Sequence, residues 1–381
     1  MAFKDLSVTE LKKLQAQLEE QYIDFKSRSL KLDMSRGKPA PDQLGLSEKL
    51  LSCIDYKKYM ENGGIDCRNY GGIDGLPEMK KIFADILGVS SSNIIVGGNS
   101  SLNMMFDCIS QGMTKGFGDE PWAKQKNLKF ICPSPGYDRH FAVTEYFGFE
   151  LLTVKMLDTG PDIDTVEELV KDPAVKGIWC VPKYSNPTGI TYSDETVRRF
   201  AALQPAAKDF KIFWDNAYVI HDLFDEGDTL LNLFEEAKRL GNEDIVFMFA
   251  STSKITFPGN GVACMACSEN NKKQILSRLK YQTIGPDKLN QLRHLCFFGN
   301  TDGVLAHMKL HAEKIRAKFE TVLGCLQSEL GDTGVITWTS PKGGYFISVD
   351  LMEGCASEVV KLCNEAGVKL TPAGATYPRC V

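Results

Sequence analysis

Residues 246–267 read VFMFASTSKITFPGNGVACMAC. The run 246–250 is apolar and aromatic, with the length of a buried strand, and 261–267 is a second such run. Between them STSK (251–254) meets a Pro-Gly break, so the chain goes strand, sharp turn, strand. A lysine at a strand end is usually solvated. Here two hydroxyls and a turn crowd Lys254 against the sheet edge. Hydroxyls suit a phosphate, and a lysine in a partly apolar site can lose its proton and act as a nucleophile. Ser251, Ser253 and Lys254 are therefore the first candidates. Cys264 and Cys267 lie in the second run, where an offset of three puts their side chains on opposite faces and argues against a metal or redox pair.

Working outward, apolar runs recur at 128–132, 151–154, 177–181 and 212–215, with helical patterns such as 193–203 between most of them. Short apolar runs alternating with helices predict an α/β fold around a large, mostly parallel sheet, with its site beyond the carboxyl ends of the strands. A long helical stretch follows at 301–329, then strand-like 335–338 and 345–349 and a helix near 356–366. At the other end, 7–30 reads as an amphipathic helix opened by the capping box Ser7-x-x-Glu10, with Leu11, Leu14, Leu18, Tyr22 and Phe25 on one face. The expected plan is a large α/β domain over 46–300 and a smaller α+β domain built from 1–45 and 301–381.

The 381 residues are 43% hydrophobic and 24% charged, with a net charge of -5. That is enough to bury a large core, and it offers no pull on nucleic acid or an anionic membrane. The 12 cysteines sit in apolar segments, as Cys132 and Cys180 do, and read as small buried hydrophobes in a reducing compartment. No secretory h-region and no bilayer-length apolar run is visible, so the cytoplasm is the default location.

Four further stretches carry candidates. IFWDNAY (212–218) ends a strand on Asp215, a carboxylate suited to a protonated heterocycle, and Tyr218 follows three residues later. YSNPTG (184–189) demands a turn that aims Asn186 at the sheet edge, with an Asn186–Pro187 bond that can be cis. VGGNSS (96–101) precedes an apolar helix, where exposed N–H groups beside Asn99, Ser100 and Ser101 can cradle a phosphate. Pro135-Gly136-Tyr137 offers a loop aromatic to stack on a planar ring. Each alone also has an ordinary reading as a cap, a turn or a packing residue.

As an ordered set they resemble the fold-type I pyridoxal 5'-phosphate (PLP)-dependent aminotransferases of class I/II, over nearly the whole chain. SRGKP (35–39), YGGIDG (70–75), GNSSLN (98–103) and DKLNQLRH (287–294) look closest to a bacterial aspartate-aminotransferase-like branch. The resemblance implies the PLP-transferase fold and transfer of an amino group between an L-amino acid, with aspartate the specific guess, and a 2-oxo acid such as 2-oxoglutarate. It implies that Lys254 forms the Schiff base to PLP and shuttles the substrate proton. Asp215 would keep the pyridine nitrogen protonated, Asn186 and Tyr218 would bond its phenolic oxygen, and Tyr137 would stack on the ring. Asn99, Ser100, Ser101, Ser251 and Ser253 would hold the phosphate. A homodimer is implied, with Tyr70 reaching the neighbouring site. Arg36 and Gly37 would stand at the substrate entrance, and Arg293 would meet a distal carboxylate or else be a helix-surface charge.

Two departures from the family pattern stand out. ITFPGNGVA (255–263) lacks the arginine many relatives place after the lysine to pair with the phosphate. The sequence ends TYPRCV, and Arg379 comes too early for the arginine that clamps the substrate α-carboxylate in a later tail. Alternatives are another PLP reaction, β-elimination or decarboxylation, or a PLP-binding protein with impaired catalysis. A PLP-binding transcriptional sensor would need a DNA-binding domain and a basic patch. A nucleotide-binding reading fails because Gly259-x-Gly261 opens a strand, with Cys264 at the third glycine position.

Overall fold

The computed structural model describes residues 2–35 and 37–378. Arg36 and Arg379 lie outside them. Strands in chain order are β1 (Leu32–Asp33), β2 (Ile94–Val96), β3 (Lys129–Ser134), β4 (Glu150–Leu157), β5 (Gly160–Pro161), β6 (Val175–Cys180), β7 (Lys211–Asp215), β8 (Val246–Ser251), β9 (Ala263–Cys267), β10 (Ile336–Trp338), β11 (Val349–Leu351) and β12 (Val368–Lys369). The helices are α1 (Val8–Ser27), α2 (Pro41–Leu44), α3 (Pro77–Leu87), α4 (Ser101–Lys115), α5 (Asp138–Tyr146), α6 (Ile163–Leu169), α7 (Asp194–Ala201), α8 (Leu233–Arg239), α9 (Glu269–Gln282), α10 (Lys288–Phe298), α11 (Thr301–Leu330) and α12 (Ala356–Glu365).

The main sheet has eight strands in the order β2-β9-β8-β7-β6-β3-β4-β5. The block β8-β7-β6-β3-β4 is parallel, while β9, β2 and β5 join by antiparallel pairs. The central strands β6, β7 and β9 are buried at every residue. That explains why their sequences are mainly apolar, with Lys176 of β6 and Lys211 and Asp215 of β7 the exceptions: a strand covered on both faces has no polar side to alternate with. The alternation persists in what each residue touches. Ile131, Ile212, Trp214, Met248 and Cys264 belong to one core, and Phe130, Phe213, Phe247, Met265 and Cys267 to the other. Cys264 and Cys267 thus fall on opposite faces, as their spacing requires. No helix of the described residues is long and apolar enough to cross a membrane.

The strand order turns at β3. The chain lays β4 on one side of it, then returns to lay β6, β7 and β8 on the other. Such a switch point opens a crevice beyond the carboxyl ends of the strands. Both chain ends fold over this edge. β1 pairs in parallel with β12, and Gly136 N–H donates to the Thr376 carbonyl at 2.8 Å.

Three expectations change. α1 has its Ser7–Glu10 capping box, but none of its residues is buried, and Leu11, Leu18 and Phe25 stay exposed because only scattered contacts, such as Tyr22 Oη to the Leu362 carbonyl, tie it down. The strand expected at 345–349 begins only at Val349, since Tyr345 and Phe346 turn inward instead of pairing. Of the described cysteines, Cys67, Cys108, Cys132, Cys180, Cys264 and Cys267 are buried. Cys325 is exposed on α11, and Cys53, Cys296, Cys355 and Cys363 are half-buried; all are free thiols.

Candidate active site

A cavity of about 550 Å³ occupies the crevice. Its walls come from the strand ends: Gly136 and Tyr137 after β3, Val181 and Asn186 after β6, Asp215 at the end of β7 with Tyr218, and Lys254 after β8. Five candidates taken from four motifs therefore meet in one space.

Asp215 is almost fully buried. Its Oδ2 lies 3.1 Å from His140 Nε2, and its Oδ1 has no hydrogen-bond partner among the described residues. A buried carboxylate oxygen left unpaired is costly, so it marks a place where a donor belongs. His140 is held from both sides. It stacks on Trp179 at 4.6 Å between ring centroids, and Tyr137 meets its edge at 4.9 Å. Sequence reading missed His140. Its signal was present, because Tyr137 and His140 are three apart at the start of α5 and so share a face.

Lys254 Nζ sits 4.9 Å from the centroid of the Tyr218 ring. Burial holds this amine below the ordinary lysine value, with the charge of Asp215 pulling the other way. Burial, then the Asp215 charge, raises Tyr218 well above an ordinary phenol, so its hydroxyl keeps its proton. Asn186 is aimed into the cavity by the turn after β6. The Asn186–Pro187 bond is cis, and Gly189 N–H and Ser185 N–H close the loop onto the Ser185 and Ile190 carbonyls.

The hydroxyl cluster adjoins the cavity through the Ser253–Lys254 step and is not part of its walls. Ser251 Oγ donates to Ser253 Oγ at 3.1 Å, and Ser253 Oγ donates to the Asn99 carbonyl at 3.2 Å, which joins the two predicted phosphate loops. Gly261 permits this approach, because a Cβ there would lie 3.1 Å from the Asn99 carbonyl and from Ser253. Ser100 caps α4 without using its side chain on the helix, so the first-turn N–H groups of a 15-residue helix face this corner.

The remaining candidates divide. Gly37 lines the cavity, and a Cβ on it would lie 2.4 Å from Phe346 Cζ. Tyr70 is 79% exposed and outside the cavity. Arg293 lies on α10, where its charge acts on Cys53 and His294, and it is not in the cavity wall. Phe346, Lys38 and Lys369 also line the cavity, and sequence reading assigned none of them a role there.

The whole chain from residue 6 to residue 381 matches the aspartate amino-transferase family. The chain belongs to that family. An aspartate aminotransferase of Corynebacterium glutamicum is 46% identical over 95% of this chain and 84% of its own. A relative from Mycolicibacterium smegmatis is 46% identical over 99% of this chain and 90% of its own. The crystal structure of an aspartate transaminase from Corynebacterium glutamicum superposes with a TM-score of 0.96 at 43% identity, covering 100% of this chain and 90% of that one. The protein is an aminotransferase with the fold-type I architecture.

Outside the cavity wall, this family member buries four more histidines, His221, His294, His307 and His311. Burial pushes His221 down to about 3, and His294 and His311 to about 4, from an ordinary 6.5. Below about pH 6.5 the unfolded chain takes up protons on these rings while the folded chain does not. Stability is therefore full above that pH and falls as the pH drops toward the folded values, by roughly 1 kcal/mol per pH unit for each ring. The melting temperature is expected to fall steeply between about pH 7 and about pH 5. Replacing His294 with Gln should flatten the slope, and an unchanged slope in that variant would refute the assignment.

Proposed function

We propose that the enzyme transfers the amino group of an L-amino acid, aspartate first, to a 2-oxo acid, 2-oxoglutarate first, using PLP. The observation that carries this reading is the pairing, in one cavity, of a half-buried lysine amine with a buried carboxylate whose second oxygen is unpaired. The residues present fit the cofactor: Asp215 Oδ1 lacks only a donor, and the Ser/Asn corner at the start of α4 lacks only an anion. When bound, PLP supplies an electron-withdrawing ring that accepts the electron pair left as a bond to the substrate α-carbon breaks.

The chain's own groups do the rest. Lys254 Nζ carries the covalent attachment and then moves the α-proton, a task suited to an amine whose pKa burial has lowered. Asp215 Oδ1 holds a proton at the ring nitrogen, and His140 fixes the other oxygen so that Oδ1 points one way. Asn186 and Tyr218 donate to the ring oxygen, and Tyr137 covers the ring. Asn99, Ser100, Ser101, Ser251 and Ser253 take the phosphate with the α4 N–H groups. Gly37 leaves room at the entrance beside Phe346.

Adding aspartate to the cofactor-loaded protein is expected to change its absorbance to that of the aminated cofactor and to release one oxaloacetate per site. A spectrum indifferent to every amino acid tried would remove the transaminase assignment.

We also infer a homodimer in which Tyr70, exposed in a single chain, reaches the neighbouring cavity. Light scattering should return twice the mass of one chain, and a monomer at working concentration would exclude a shared site. The division into 46–300 and 1–45 with 301–381 is proposed on the same footing, supported by the β1–β12 pairing of the two chain ends. Free cysteines throughout the described residues suit the cytoplasm.

A further inference from the structure

Three distant parts of the chain converge beside the main chain of Lys254 and Ile255. Gln43 comes from α2, His307 and His311 from α11, and Tyr345 from the segment before β11. Gln43 is 3% exposed, and every polar atom of its amide is used. Oε1 accepts from Ala40 N–H at 3.0 Å, which fixes which end of the amide is oxygen. Nε2 must then be the donor in its other two bonds, 2.9 Å to Tyr345 Oη and 3.3 Å to His311 Nδ1.

The donor directions propagate. Tyr345 Oη accepts from Gln43, so its own proton points at the Lys254 carbonyl, 3.5 Å away. His311 Nδ1 accepts from Gln43, so its proton sits on Nε2, facing His307 Nε2 at 3.2 Å. Burial keeps the His311 ring neutral at ordinary pH, which leaves that lone pair available. His307 Nε2 accepts that proton, so although it lies 3.0 Å from the Ile255 carbonyl it cannot donate to it, and this branch ends at His307. The network from Gln43 therefore reaches the main chain at the Lys254 carbonyl, through Tyr345.

The same segment forms the cavity wall. Gly37 and Lys38 line it six and five residues before Gln43, and Gly37 packs on Phe346, the neighbour of Tyr345. Gly37 on Phe346 and Gln43 on Tyr345 are therefore two consecutive rungs joining residues 37–43 to 345–346.

We infer that Gln43 is a positioning residue: through Tyr345 it clamps the segment carrying Gly37 and Lys38 to the main chain of Lys254, with His311 holding the Gln43 amide in place, and so keeps the substrate wall in register with the reacting amine. The inference rests on Lys254 being that amine. It differs from a simple cap of α2, which would need only Oε1.

Gln43→Glu separates the two roles, because it keeps an oxygen for Ala40 N–H and loses both donors. Loss of the clamp is expected to raise KM for aspartate about tenfold with kcat within about twofold, the scale of one buried hydrogen bond. Amide hydrogen exchange across residues 37–44 should speed up by a similar factor, in protein without amino acid. Tyr345→Phe should act in the same direction, and the double variant should be no worse than the stronger single one.

Wild-type KM and exchange in Gln43→Glu, or full additivity in the double variant, would overturn the clamp. If Gln43→Glu does not fold, Tyr345→Phe decides by the same readouts. Failure of the Lys254 reading shows separately, as a cofactor spectrum that survives Lys254→Ala, and the exchange measurement needs no turnover.

Discussion

Lys254→Ala is expected to lower kcat by at least about 10⁴-fold while the fold is retained, the upper end of what a positioned proton-transfer group contributes. Two features set the size of the loss. The lysine is half-buried at the end of a turn that the Ser251–Ser253–Asn99 bonds hold in place, so no neighbouring residue swings in to replace it. Its floor is the Tyr218 ring, 4.9 Å below the amine, and a phenol raised well above its ordinary value is a poor base. Alanine leaves no amine over the Tyr218 ring.

The pH dependence has a definite sign. Burial lowers the Lys254 pKa, so the neutral, proton-accepting fraction rises with pH and does so at a lower pH than for a solvated lysine. Rates of a single half-reaction with aspartate, followed by absorbance, measure the loss. Added small primary amines should restore part of it by diffusing into the vacated space. A variant that retains a tenth of wild-type kcat would show that the proton travels by another group.

Much of this site was legible because the sheet is buried on both faces. Strands such as β7 and β8 have almost no solvent side, so they appear in sequence as mainly apolar runs, and the polar residues at and just after their carboxyl ends, Asp215 and Lys254, sit at the crevice. Asp215 and Lys254 are found in this way by position alone. What the sequence did not disclose depends on contacts between remote segments. Phe346 meets Gly37 across 309 positions, and nothing local distinguishes its apolar side chain from one in a strand, which is why 345–349 read as one. Lys38 and Lys369 become neighbours of the same cavity only through the β1–β12 pairing of two-residue strands, too short to leave a periodicity. Arg293, open in the sequence to a distal-carboxylate contact or a helix-surface charge, lies on α10 outside the cavity wall.

Asp215→Asn is the second large effect, with kcat expected to fall by about 10²- to 10³-fold, the cost of removing one preorganised electrostatic partner from a dry site. The substitution preserves shape. Asn can still offer its carbonyl oxygen to His140 Nε2, so the stacked His140–Trp179 pair at 4.6 Å stays in place and the cavity wall does not collapse. What disappears is the negative charge at Oδ1. In the wild type that oxygen is buried and has no partner among the described residues, placed to keep a proton on a ring nitrogen in the cavity. An amide has no charge to do so, and its NH₂ end would present a donor where a donor is already needed from the ligand. The expected loss lies in breaking the α-carbon bond, so KM for aspartate should change much less than kcat, and a substrate deuterated at the α-carbon should show a larger isotope effect in the variant than in the wild type. His140→Phe tests the geometry separately: it keeps a ring against Trp179, removes the bond to Oδ2, and should cost less than Asp215→Asn because the charge remains. If Asp215→Asn turned over within threefold of the wild type, the carboxylate would be a structural partner of His140 alone, and the electron-withdrawing role assigned to this end of the cavity would have to be given up.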